Sequence, residues 1–195
     1  MNVLTRAAAI AVALVLAAGC SQKDPAEQAI KAAEDALNAV YEDSQKYLPD
    51  RYAEIKSSLD AARGDFEREK YADAIAAVKD VPARAEQLAK DVVVAKQKRL
   101  AGLNTDWQRL SGSLPGLMTN IGSRLGELGN MRRLPQGMDK QLLDETNAAY
   151  GSAQGAWQEA GNLFAAGDLE GAVAKAKDVE GMAQDLMTRL GMQAG

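Results

Sequence analysis

From Pro25 onward, apolar residues recur at intervals of three and four with hardly a break, the spacing that gathers side chains onto one face of an α-helix. The first predicted helix runs from about Pro25 to Tyr47 and presents Ile30, Ala33, Leu37, Tyr41, Ser44 and Leu48. Proline is tolerated in a first turn, where the N–H it lacks has no partner anyway, and Pro49 then ends the helix. A second helix, about Asp50 to Arg68, carries Tyr52, Ile55, Leu59, Ala62 and Phe66 in the alternating steps of a coiled-coil seam. A third follows with Tyr71, Ile75, Val78, Val81, Ala85, Leu88, Val92 and Ala95, reaching about Leu100, and a bend is expected in it at Pro82.

The second half repeats the plan. A fourth helix has Trp107, Leu110, Leu114, Leu117, Ile121, Leu125 and Leu128 and closes on Leu134-Pro135, as the first closes on Leu48-Pro49. The fifth carries Leu143, Thr146, Tyr150, Ala153, Trp157, Ala160 and Phe164, and the sixth Leu169, Val173, Ala176, Val179, Ala183, Leu186 and Leu190. Tyr52 to Leu88 laid over Tyr150 to Leu186, an offset of 98 residues, gives ten identities in 37 positions without a gap, which reads as an internal repeat. The identities include Phe66 with Phe164 and Lys79-Asp80-Val81 with Lys177-Asp178-Val179. Within it, Leu163-Phe164-Ala165-Ala166-Gly167-Asp168-Leu169-Glu170-Gly171-Ala172 resembles the turn of a tetratricopeptide repeat; Phe66 to Ala74 is a poorer copy that lacks the Gly. No segment alternates as a strand does. The expected fold is all-α: a six-helix antiparallel bundle built from a duplicated three-helix unit, residues 20–100 and 101–195.

Residues 1–19 follow a different pattern. A start with one basic residue, Arg6, leads into an unbroken apolar run from Ala7 to Ala18, and Gly19 precedes Cys20. Twelve apolar residues are too few for a permanent membrane span but suit a signal peptide. Leu16-Ala17-Ala18-Gly19-Cys20 resembles the lipobox of bacterial lipoproteins, with Ala17 where that family prefers Leu. The resemblance implies that Cys20 becomes the lipidated first residue of the mature chain and tethers it to a membrane. Ser21, with no Asp after the Cys, implies the outer membrane, with the chain facing the periplasm. As Cys20 is the sole cysteine, no disulfide forms within the chain.

Composition narrows the chemistry further. The formal net charge is −4, and with no basic stripe this argues against nucleic acid as a partner. The absence of His removes Ser-His-Asp and Cys-His catalysis, His-ligated haem and the usual zinc sites. Catalysis by carboxylates alone needs only two acids, but Glu34-Asp35, Glu42-Asp43 and Glu67-Glu69 sit among Lys and Arg off the apolar seams, as a solvated face requires. No calcium loop, phosphate-binding Gly loop or dinucleotide fingerprint is present. The expectation is a chain that neither catalyses a reaction nor carries a cofactor or metal.

The two halves differ in surface. Residues 20–100 hold 30 charged residues and residues 101–195 only 19, while 15 of the 17 glycines, both tryptophans and every Met but the first fall in the second half. Gly inside a helix costs about 0.5–1 kcal/mol against Ala, so the fourth helix should be bendable. Met adapts its shape to varied apolar partners. A groove between the fourth and sixth helices, lined by Trp107, Met118, Ile121, Trp157, Met182 and Leu186, is therefore the candidate site for a partner helix or a lipid-like ligand. The same residues at seam spacing also suit a plain core. The leading expectation is a lipid-anchored envelope protein acting as an interaction or structural module with an envelope protein partner; the alternative is a binding protein for a hydrophobic or lipid ligand.

Overall fold

A computed structural model describes residues 22–192, so the signal peptide and Cys20 lie outside the described residues. The described chain is all-α, a helical bundle with seven helical segments: α1 Lys23–Ala39, α2 Tyr41–Tyr47, α3 Pro49–Glu67, α4 Tyr71–Val78, α5 Val81–Gly129, α6 Lys140–Ala165 and α7 Leu169–Arg189. The chain divides into two compact units between Lys98 and Arg99, two residues before the boundary expected from the sequence.

Three departures from the predicted helices have local causes. The first predicted helix kinks at Val40, whose φ of −112° and ψ of 4° end α1. Beyond the kink, Tyr41 meets Tyr52 edge to face, with ring centroids 5.5 Å apart. The third predicted helix is cut after Val78 rather than bent at Pro82: proline cannot donate to the Val78 carbonyl and its ring crowds that carbonyl, so the chain restarts with Pro82 in the first turn of α5. The third and fourth predicted helices, in contrast, are one. Residues 101–106 stay helical because nothing there forbids it, and Asn104 Nδ2 and Thr105 Oγ1 donate back to the carbonyls of Leu100 and Ala101 at 3.0 and 3.1 Å.

In the first unit, Ile30, Leu37, Ile55, Leu59, Val78, Val81 and Leu88 share one core. Arg63 donates to Glu34 at 2.7 Å, joining α3 to α1. Arg84 reaches Glu54 at 3.0 Å, while Arg51 pairs with Asp91. As the number falls along α3 from 54 to 51 it rises along the first turns of α5 from 84 to 91, so these two stretches run in opposite directions. In the second unit, Leu110, Leu114, Ile121, Leu128, Val173, Val179 and Leu186 close a separate core. Three ion pairs, Arg99–Glu170 at 2.5 Å, Asp106–Lys177 at 2.6 Å and Arg109–Glu180 at 2.6 Å, keep one separation of 71 residues. A constant separation means that α5 and α7 run in the same direction here, as the first and third helices of an up-down-up bundle do.

The turn from α3 to α4 and the turn from α6 to α7 have the same geometry, 98 residues apart. Lys70 N–H bonds the Asp65 carbonyl and Glu69 N–H that of Phe66; Asp168 N–H bonds Leu163 and Gly167 N–H bonds Phe164. This is the Schellman ending of a helix, which needs one left-handed residue. Gly167 takes it at φ 84°, and Glu69 at φ 60°. Asp168 then caps α7, its carboxylate accepting from Gly171 N–H at 2.8 Å.

Candidate functional site

Trp157 and Phe164 lie seven residues apart on α6, two helical turns, so both side chains leave the same face. Trp107 on α5 fills the space between them. Its ring stacks on Phe164 at 4.5 Å and 11° and on Trp157 at 5.8 Å and 18°. The two tryptophans are half-buried against the core of the second unit. Phe164 is 45% exposed. Stacked aromatic pairs add about 0.5–1.5 kcal/mol beyond the area they bury, which accounts for three large rings gathering at a surface. Phe164 was not among the predicted groove residues, although its two-turn spacing from Trp157 was there to be read.

The six predicted groove residues separate. Met118, Ile121 and Leu186 are 6%, 0% and 1% exposed and fill the core rather than line a groove. Their apolar spacing marked the inward face, which is also where a groove would have been read. Trp107 and Trp157 form the aromatic stack, and Met182 stands 41% exposed on α7. Around Met118 the packing is tight: Tyr150 Oη donates to the Met118 carbonyl at 3.0 Å. A Cβ on Gly122 would sit 2.6 Å from Tyr150 Oη, so any larger residue there would push the tyrosine hydroxyl from its place. The other glycines of these helices behave differently. Gly112, Gly116, Gly151, Gly155 and Gly161 have open space where a Cβ would be, so close helix packing inside the unit does not require them.

Several acids are shifted by their ion-pair partners. The Lys177 ammonium, hydrogen-bonded to Asp106, holds that carboxyl below its ordinary range, and Arg109 does the same to Glu180. In the first unit, Lys90 lowers Glu86, and Arg51 with Gln87 lowers Asp91. Each of these acids is held as a carboxylate by a cation or amide, as ion pairs on a solvated helix face are. Among the described residues no group of three or more His, Cys, Asp or Glu could hold a metal ion, and no helix is long and apolar enough to cross a membrane. Set against known proteins, the chain matches no family model, no curated protein and no solved structure.

Proposed function

We propose that this chain is a lipid-anchored envelope protein, facing the periplasm from the outer membrane, that acts through protein contacts rather than catalysis. The observation that carries the reading is the exposed end of the Trp107–Phe164 stack, with Phe164 45% in water beside two half-buried tryptophans. Rigid aromatics bury much area for little lost freedom, and they recur as anchors at protein interfaces. The closed core beneath, which takes up Met118, Ile121 and Leu186, favours an outer contact surface over an internal lipid cavity. The tether itself rests on Cys20 and the apolar run before it. The matching helix endings at Glu69 and Gly167 support descent of both units from one duplicated hairpin, whose turn is similar to that of a tetratricopeptide repeat.

The test is a pull-down from detergent-solubilised envelopes, with mass spectrometry of proteins and lipids. A stoichiometric protein partner that is lost with Phe164→Asp is the expected result. A stoichiometric lipid instead would favour the second reading, a hydrophobic-ligand carrier using Trp107, Trp157 and Met182. For the tether, Cys20→Ser should leave an uncleaved or mislocalised precursor; unchanged membrane fractionation of that variant counts against lipidation.

A further inference from the structure

The first unit packs α1 against α3, and the second packs α5 against α6, in the same register. Inward positions on α1 and α2 run Ala26, Ile30, Ala33, Leu37 and Ser44; those that α5 turns toward its own core run Leu103, Trp107, Leu110, Leu114 and Ile121, each 77 residues later. Contacts across to the facing helix keep that register. Tyr41 meets Tyr52 edge to face in the first unit, and at the matching positions of the second, Tyr150 Oη donates to the Met118 carbonyl. Ile30 therefore stands where Trp107 stands, and Phe66 where Phe164 does.

In the second unit the Trp107 indole fills this place, its ring stacked 4.5 Å from that of Phe164. In the first, the smaller Ile30 leaves a cleft of about 370 Å³ between α1 and α3, bounded by Lys23, Glu27, Ile30, Arg63, Phe66 and Glu67. That volume lies in the range of small-molecule sites, roughly 300–1,000 Å³. Helix side chains lean toward the N-terminus, so a ring carried at position 30 would extend toward Glu27, on the side where the cleft opens. Tyr71 packs on Phe66 from α4, with centroids 5.3 Å apart, and does not border the cleft. The apolar floor is Ile30 and the half-buried Phe66. The rim carries two cations, Lys23 and Arg63, and two acids, Glu27 and Glu67, so charge favours neither sign of ligand. Shape and stacking are left to decide, and the indole in the matching place of the second unit shows which shape fits against this phenylalanine.

We propose that this cleft binds a small molecule through an indole-sized aromatic ring, stacked on Phe66 and resting on Ile30. The site lies within the first unit and does not depend on the Phe164 surface or the envelope reading. The test is an amide chemical-shift titration of the isotope-labelled full chain in neutral detergent. The probe is L-tryptophan, whose zwitterionic end suits a rim of both signs; L-cyclohexylalanine, with the same end on a saturated ring, is the second arm. Saturable shifts confined to residues 23–30 and 63–67 are expected with tryptophan, and binding roughly five-fold weaker with the saturated ring, the margin that stacking adds. Phe66→Leu should raise the Kd for tryptophan by roughly five-fold while peaks away from the cleft stay in place, which reports an intact fold. Ile30→Trp supplies the ring from within and should abolish the shifts. Trp107→Ile makes the reciprocal change and should create a second set of saturable shifts around Phe164. No saturation with the wild type, equal Kd for the two probes, an unchanged Kd in Phe66→Leu or Ile30→Trp, or no new site in a folded Trp107→Ile overturns the proposal.

Discussion

The tripeptide Lys-Asp-Val occurs twice at corresponding places and does two different things. In the first unit Lys79 and Asp80 form the break between α4 and α5; in the second, Lys177-Asp178-Val179 lies in the middle of α7. The residue that follows decides the outcome. Pro82 removes a helix hydrogen bond, whereas Glu180 at the matching position keeps it and also takes the Arg109 guanidinium. The α3–α4 and α6–α7 turns teach the converse: one backbone geometry is reached with Glu69 in one unit and Gly167 in the other, at unequal cost. Helix propensity and tertiary demand are thus separable, residue by residue, between two parts of one chain.

Core truncation gives the largest expected effect. Leu88→Ala and Leu186→Ala each remove a side chain at most 1% exposed and should cost about 2–5 kcal/mol. Both tryptophans lie in the second unit, so tryptophan fluorescence follows that unit while circular dichroism follows both. Leu186→Ala should lower the fluorescence midpoint in denaturant, and Leu88→Ala should lower the dichroism midpoint with little change in fluorescence. Coincident shifts of both signals in both variants would mean that the units unfold together.

Next comes Glu180→Pro, which copies Pro82 into the second unit. Interior proline costs about 3 kcal/mol, so the fluorescence-detected midpoint should fall accordingly. A smaller loss would show that α7 can accept the break seen after Val78.

The turns give an effect of about 1 kcal/mol, with opposite signs in the two units. Glu69→Gly should stabilise the first unit and Gly167→Glu should destabilise the second by a similar amount, each read from denaturant midpoints. A loss with Glu69→Gly would mean that the Glu69 side chain does something the shared turn geometry does not explain.

Acidification should give the smallest effect. The carboxyls of Asp106 and Glu180 are held below their ordinary range by Lys177 and Arg109, so the stability they add is present at neutral pH. It is lost as pH falls through the usual carboxylate range and below. These groups are partly exposed, so the slope should be shallow and should flatten in high salt. Thermal midpoints of wild type and Glu180→Gln against pH check this, the variant being the less pH-sensitive in its second unit.

Much of the fold was legible along the chain. The seam residues Leu37, Leu59, Leu88, Ile121 and Leu186 are all buried, because a spacing of three and four can bury only one helix face. Pro49 ended a helix as expected, since it forces Leu48 out of helical geometry. The kink at Val40 carried no such mark. Residues 101–106 read as a gap because apolar periodicity fades there, yet the helix continues through them, with Leu103 against the second-unit core and Asp106 paired to Lys177. Of the candidate groove residues, Trp107 and Trp157 come together in a stack with Phe164 while Met118 is sealed in the core; the sequence could not separate these, since an inward face and a binding face share one pattern.

Local rules thus determined from sequence alone that this chain is helical, which faces turn inward, and where proline stops a helix, because those depend on neighbours within a turn or two. Only the tertiary structure decided which helices run the same way, and which apolar residues are sealed and which exposed. Those outcomes depend on residues as far apart as Arg99 and Glu170, whose meeting no spacing along one helix can encode.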